Sequence, residues 1–134
     1  MEAKTINVII DLVGSLRRGY EYNYKLQAFQ VGTHAGSLPT RHSLVTIGAQ
    51  NVVLTAVKKA EDGDALILRF YEWAGKEGEV RIQVPEGAKS ARLADLLENP
   101  EGSLLSIERG NNVAVPTHPY EIVTVRVEYP GPTQ

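Results

Sequence analysis

The sequence predicts an all-β fold: an antiparallel β-sandwich of eight or nine short strands, built as a single domain over residues 1–134. Three observations predict it. Residues 51–73 (NVVLTAVKKAEDGDALILRFYEW) place two runs rich in β-branched and aromatic residues on either side of an acidic, glycine-containing corner, the pattern of a β-hairpin. Further turn signals recur every eight to twelve residues. No stretch carries a convincing helical pattern bounded by helix start and stop signals. A barrel is the alternative way to close so many short strands.

The hairpin is the element on which the others depend. With Asp62 and Gly63 as a two-residue loop, Val57 pairs with Leu68, Thr55 with Phe70 and Leu54 with Tyr71; a three-residue loop with a glycine bulge would move the pairing by one. Side chains alternate across a strand, so one face carries Val53, Thr55, Val57, Leu66, Leu68 and Phe70. The other mixes Lys58 and Arg69 with Leu54, Ile67, Tyr71 and Trp73. A hairpin so apolar on one side is marginal alone in water and calls for a second sheet.

In chain order, residues 5–12 (TINVIIDL) read as a strand from their β-branched content and alternation, ended by Gly14 and Ser15. In residues 17–31 Tyr20, Tyr22, Tyr24, Leu26 and Ala28 recur at period two, which reads as a second, aromatic-faced strand. Residues 32–39 form a loop and residues 43–47 a short strand. After the hairpin, Val80, Ile82 and Val84 alternate with Arg81 and Gln83 in a half-buried strand that stops at Pro85. Residues 90–97 (SARLADLL) fit a strand followed by a turn better than a helical turn, because Asn99, Pro100 and Gly102 stop any helix early. Residues 104–109 and 113–115 flank Gly110, Asn111 and Asn112 as a second hairpin, residues 121–129 (EIVTVRVEY) supply a closing strand, and residues 130–134 are a tail.

Composition excludes several classes. The net charge is −2 and the pI about 5.9, so no field favours nucleic acid or an anionic membrane. The absence of cysteine excludes disulfides, thiolate catalysis and Cys-based zinc sites. No apolar run approaches the roughly 20 residues that span a bilayer, and the N-terminus lacks a signal-peptide pattern. The expectation is a soluble, cytoplasmic chain.

Residues that could carry chemistry have simpler readings. His34, His42 and His118 lack metal-ligand spacing and read as surface histidines. Glu61, Asp62 and Asp64 are the residues a tight turn demands, and Asp95 and Glu98 read as turn and cap residues. Tyr71, Trp73, Tyr20, Tyr22 and Tyr24 could stack on the apolar face of a sugar ring, but they read first as core or interface rings. Arg17, Arg18 and Arg69 could bind a hydroxyl or carboxylate, and more simply form surface pairs.

The hairpin, extended to residue 75 (NVVLTAVKKAEDGDALILRFYEWAG), resembles the C-terminal β-domain of family-38 glycoside hydrolases, the α-mannosidases, with its Lys-Lys-x-Glu-Asp-Gly turn and Ile-Leu-Arg-aromatic-Tyr-Glu strand. Residues 91–98 (ARLADLLE) and 119–127 (PYEIVTVRV) are similar to two further segments of that domain, and RRGYEYNYKL with GSLPTRHSLVTI to segments before its hairpin. The resemblance covers about residues 17–129. Residues 1–16 are unmatched, and Lys25 stands where the family pattern has Pro.

The resemblance implies a parent enzyme that hydrolyses α-mannosides with retention, using a zinc ion and a catalytic Asp in an N-terminal domain. Retention requires two carboxyl groups about 5–5.5 Å apart. No segment here matches the zinc or nucleophile motifs, so the expectation is no catalytic residue, no metal and no cofactor in this chain. The implied role is a supporting β-sandwich that packs on the catalytic domain. Tyr71, Trp73, Leu54, Ile67, Arg69 and Tyr22 are the candidate residues for a carbohydrate or domain interface. The alternatives are a free-standing module that binds mannose-containing glycans, and a self-associating module that forms a homodimer.

Overall fold

The computed structural model describes residues 12–33, 35–109 and 111–131. They fall in two compact units, Met1–Ser37 and Leu38–Gln134.

In the first unit, α1 spans Leu12–Asn23. This corrects the expectation of a strand over residues 17–31 and of a fold without a helix. Tyr20, Tyr22 and Tyr24 alternate at period two, but Tyr20 and Tyr24 are also four apart, the spacing of one helical face, and the helical spacing wins. Their rings stack at 5.7 Å with an interplanar angle of 16°, Arg18 pairs with Glu21 one turn on at 2.9 Å, and the Asn23 amide donates to the Gly19 carbonyl. Beyond Asn23 the chain runs without regular structure to residue 33, and Leu26, Phe29 and Val31 are exposed. The strand expected over residues 5–12 lies outside the described residues except for Leu12, which begins α1. No helix of the described residues is long and apolar enough to cross a membrane.

The second unit is an antiparallel β-sandwich of nine strands in two sheets. The strands are β1 (Thr46–Ile47), β2 (Val52–Lys59), β3 (Leu66–Glu72), β4 (Gly78–Gln83), β5 (Ser90–Ala94), β6 (Pro100–Leu105), β7 (Ile107–Glu108), β8 (Asn112–Thr117) and β9 (Ile122–Glu128). One sheet has the order β1-β4-β8-β7, the other β2-β3-β9-β5-β6. The strand that closes the sequence is therefore central in its sheet. Residues 100–108 serve both sheets: the chain changes sheet at Ser106, whose carbonyl accepts from the Ala114 amide at 3.1 Å.

The core follows from alternation. Leu68 and Phe70 of β3 and Val123, Val125 and Val127 of β9 face Val80 and Ile82 of β4 and Val113 and Val115 of β8 in one buried cluster. The alternating residues expected for β4 and β9 are those that reach it. Residues 90–97 form a strand and then a turn, and Ile107 and Glu108 pair with Val113 and Asn112 around the second turn.

The hairpin agrees with expectation near its turn and departs from it beyond. Val57 pairs with Leu68, and Gly63 takes φ 93°, which an L side chain rarely adopts. A bulge between Leu54 and Ala56 then shifts the register, so Leu54 pairs with Phe70 and Val53 with Tyr71. The extra residue is Thr55, whose hydroxyl donates to the Arg69 carbonyl at 2.9 Å. Val53 turns outward with Tyr71, and Val52 and Leu54 turn inward against the core.

Replacing Phe70, which is fully buried, by Ala is expected to cost about 3–5 kcal/mol in chemical denaturation. Val57→Ala, on the edge strand and exposed, is expected to cost no more than about 1 kcal/mol by the same measurement.

Candidate functional site

Alternation along β3 and β9 directs Ile67, Arg69, Tyr71, Ile122, Thr124 and Arg126 to the outer face of the five-stranded sheet, where Ile67 lies opposite Arg126, Arg69 opposite Thr124 and Tyr71 opposite Ile122. The turn after β5, residues 95–99, folds over this face and is tied to it. The Glu98 carboxylate, only 6% exposed, accepts from Lys58 Nζ at 2.7 Å and from the Glu61 amide at 2.9 Å. Arg69 donates to Thr124 Oγ1 at 3.0 Å and to the Leu96 carbonyl at 3.1 Å. Arg126 reaches Asp62 Oδ1 and Glu128 Oε1, each at 2.7 Å, and the Glu98 carbonyl at 3.4 Å. Asp95 closes the turn on itself by accepting from both the amide and the side chain of Asn99 at 2.9 Å.

The electrostatics match this wiring. The Lys58 ammonium, ahead of the Glu61 amide, holds the Glu98 carboxyl below the usual carboxylate range, and Arg126 does the same for Asp62. Lys58 is raised in turn, first by Glu61 and then by Glu98. Glu98 itself takes φ 70°, a strained conformation for a residue with a side chain, and its hydrogen bonds offset that strain. The turn is held, yet it displays Leu96 and Leu97 at 68% and 81% exposure.

A second anchor sits at the end of β3. Glu72 is buried, and its carboxylate accepts from Asn51 Nδ2 and from the amides of Ala74, Gly75 and Tyr120 at 2.7–3.0 Å. It thus joins the approach to β2, the turn after β3 and the turn before β9. Burial alone would push its carboxyl up; the bonds from Tyr120, Asn51 and Ala74 outweigh burial and hold it at about 2. Gly75, at φ 70°, leaves the space taken by the Tyr120 side chain, whose hydroxyl a Cβ there would meet at 2.6 Å.

The candidate residues are divided by this geometry. Arg69 and Tyr71 share the outer face, with Tyr71 half-buried. Ile67 shares it too but is buried. Leu54, placed on the mixed face by the sequence reading, is on the core side because of the bulge at Thr55. Trp73 is half-buried, its amide donates to the Asn51 carbonyl, and its indole Nε1 is buried without a hydrogen-bond partner. Tyr22 is exposed on α1, in the other unit. His34 lies outside the described residues, and among the described residues no group of three or more His, Asp or Glu is placed to hold a metal ion.

Sequence reasoning missed Glu72, Arg126 and the reach of Glu98. For Glu72 a signal existed: it occupies the core-facing register of Leu66, Leu68 and Phe70, where a carboxylate has to find several donors.

Glycosyl hydrolases family 38 C-terminal beta sandwich domain is the family whose pattern matches residues 51–125, more than half of the chain. The chain belongs to this family. Residues of the family-38 sandwich thus include the bulged hairpin, the Glu98 turn and most of β9. Human alpha-mannosidase 2C1 is similar over 115 residues at 27% identity, an alignment covering 84% of this chain and 11% of that protein. The chain therefore spans about a tenth of the length of this relative.

Glu72 gives the family-38 sandwich a defined acid response. A carboxyl whose value is depressed in the folded state stabilises the fold above its ordinary value of 4.5, and that contribution is lost as pH falls from 4.5 through about 2. Glu72→Gln is expected to lower Tm at pH 7 by several degrees. It is also expected to flatten the dependence of Tm on pH between 4.5 and 2, measured by circular dichroism melts.

Proposed function

We propose that this family-38 sandwich is a non-catalytic part of an α-mannosidase-like hydrolase, and that it supports a catalytic domain lying outside this chain. The retaining chemistry and its zinc belong, on this reading, to that domain. The similarity to a mannosidase of which this chain spans about a tenth supports it. The observation that carries it is the display of Leu96 and Leu97: two adjacent leucines stand in solvent on a turn fixed by Asp95, Glu98 and Arg69. A mobile loop could fold such side chains away. A held one keeps them available to a surface that covers them. Ile122, 63% exposed beside Tyr71, extends the same outer face.

The test supplies a family-38 catalytic region lacking its own sandwich and measures association with this chain by analytical ultracentrifugation. The wild-type chain is expected to associate. Leu96→Asp combined with Leu97→Asp is expected to weaken association at least about tenfold while leaving Tm within about 2 °C. Equal association of the variant would contradict the proposal, as would hydrolysis of a chromogenic α-mannoside by this chain alone, or a homodimer abolished by the same two substitutions.

A further inference from the structure

The turn between β2 and β3 carries a chemically labile bond. Asp62 is the one aspartate of the chain that precedes a glycine, and no asparagine does so. Without a side chain on Gly63 to hinder it, the Gly63 nitrogen can bond to Asp62 Cγ and close a five-membered succinimide ring. The turn needs this pair of residues, because Gly63 takes φ 93°. It is also open to solvent: Asp62 is 82% exposed, and a Cβ on Gly63 would meet nothing nearer than Arg126 Nη2 at 3.9 Å.

The reaction has two steps. In the first, the Gly63 nitrogen bonds to Asp62 Cγ, a Cγ–O bond breaks, and the carboxyl OH leaves with the amide proton as water. In the second, water adds to the ring at the main-chain carbonyl carbon of Asp62, the C–N bond there breaks, and the nitrogen regains its proton. The product is isoaspartate, whose main chain runs through Cβ and Cγ and is one carbon longer, with a carboxyl group left on Cα. Water is released and then consumed, and nothing is oxidised or reduced. One side chain grips both groups that these steps change. Arg126 Nη1 donates to Asp62 Oδ1 at 2.7 Å and Nη2 to the Asp62 carbonyl at 3.0 Å. The guanidinium is itself fixed, since Arg126 is buried on β9 and its Nε donates to Glu128 Oε1 at 2.7 Å. An oxygen leaves readily from a neutral carboxyl and poorly from a carboxylate. The Arg126 charge holds the Asp62 carboxyl below the usual range, so the poor leaving group stays in place.

We propose that Asp62 is the site at which this sandwich forms isoaspartate, and that Arg126 is the residue that restrains the reaction. The extra carbon lengthens the loop that the bond from the Ala60 amide to the Ala65 carbonyl closes, and it removes the amide carbonyl that Arg126 Nη2 grips. Arg126 also donates to the Glu98 carbonyl, so the change is transmitted to the turn over residues 95–99. The chemistry does not depend on whether Leu96 and Leu97 meet a catalytic domain, and either proposal can fail alone.

The experiment incubates the whole chain at mildly acid pH and follows isoaspartate at each aspartate by peptide mapping with electron-transfer fragmentation, which separates isomers of equal mass. Asp62 is expected to convert ahead of Asp11, Asp64 and Asp95. In enough urea to unfold the wild-type chain, Asp62 is expected to convert at least about tenfold faster than in the native chain. Arg126→Ala is expected to raise the native rate at least about tenfold. Asp95→Ala, which loosens the turn over residues 95–99 and leaves the Arg126 contacts to Asp62 in place, is expected to keep the rate within about twofold of wild type. Asp62→Glu in the Arg126→Ala chain is expected to abolish the product, because the ring would then need a sixth member. Equal rates in native and unfolded wild type would overturn the proposal, as would earlier conversion of another aspartate. An Arg126→Ala chain that stays folded and converts no faster than wild type would overturn it as well, and if that variant fails to fold the wild-type comparison decides the matter.

Discussion

The apolar inner face of β3 and β9 cannot remain in water, and β4 and β8 are what cover it. Leu68, Phe70, Val123, Val125 and Val127 press against Val80, Ile82, Val113 and Val115, and every side chain named here is buried. The other strands are consequences of this contact. β1 and β7 extend one sheet, β2, β5 and β6 extend the other, and the crossing at Ser106 lets one short segment serve both. At roughly 25 cal/mol per Å² of apolar surface removed from water, such a two-sheet core is the dominant favourable contribution to the fold.

A sandwich needs only one buried face per sheet, and here the five-stranded sheet is covered locally on its second face as well. Ile67, Ala60 and Ala65 form a small buried cluster there. Polar groups assemble the cover: Glu98 joins Lys58 to the Glu61 amide, and Arg126 joins Asp62, Glu128 and the Glu98 carbonyl. Because each partner is satisfied by several others, the turn over residues 95–99 is positioned by the sheet beneath it. The proposed support of a catalytic domain rests on that position, since it makes Leu96 and Leu97 a fixed feature of the surface.

Much of this was legible in the sequence, for reasons that can be stated residue by residue. Val80 with Ile82, and Val123 with Val125 and Val127, alternate because one face of each strand meets the core and the other does not; period two is then the whole signal. Asp62 and Gly63 marked their turn, since the left-handed backbone at Gly63 is a local requirement. The bulge at Thr55 was not legible. It depends on how β2 and β3 pair, and it moved Leu54 from the outer face to the inner one. Helix α1 was missed because tyrosines at positions 20, 22 and 24 satisfy two periods at once. In the site, Arg69 and Tyr71 share the face assigned to them. Ile67, also assigned to that face, is instead buried with Ala60 and Ala65 beside the hairpin turn, opposite Arg126 of β9, a strand about 60 residues further along the chain.

The central claim is that a turn carrying two exposed leucines is held in place by the sheet it overlies, and amide hydrogen exchange tests it most directly. The amides of Asp95, Glu98 and Asn99 are bonded within the turn and that of Glu61 to the Glu98 carboxylate. The account predicts that all four exchange much more slowly than an unstructured chain, and that Glu98→Ala releases the Glu61 amide while β9 stays protected. Exchange of these amides at unstructured-chain rates in the wild-type protein, with the strands protected, would contradict it.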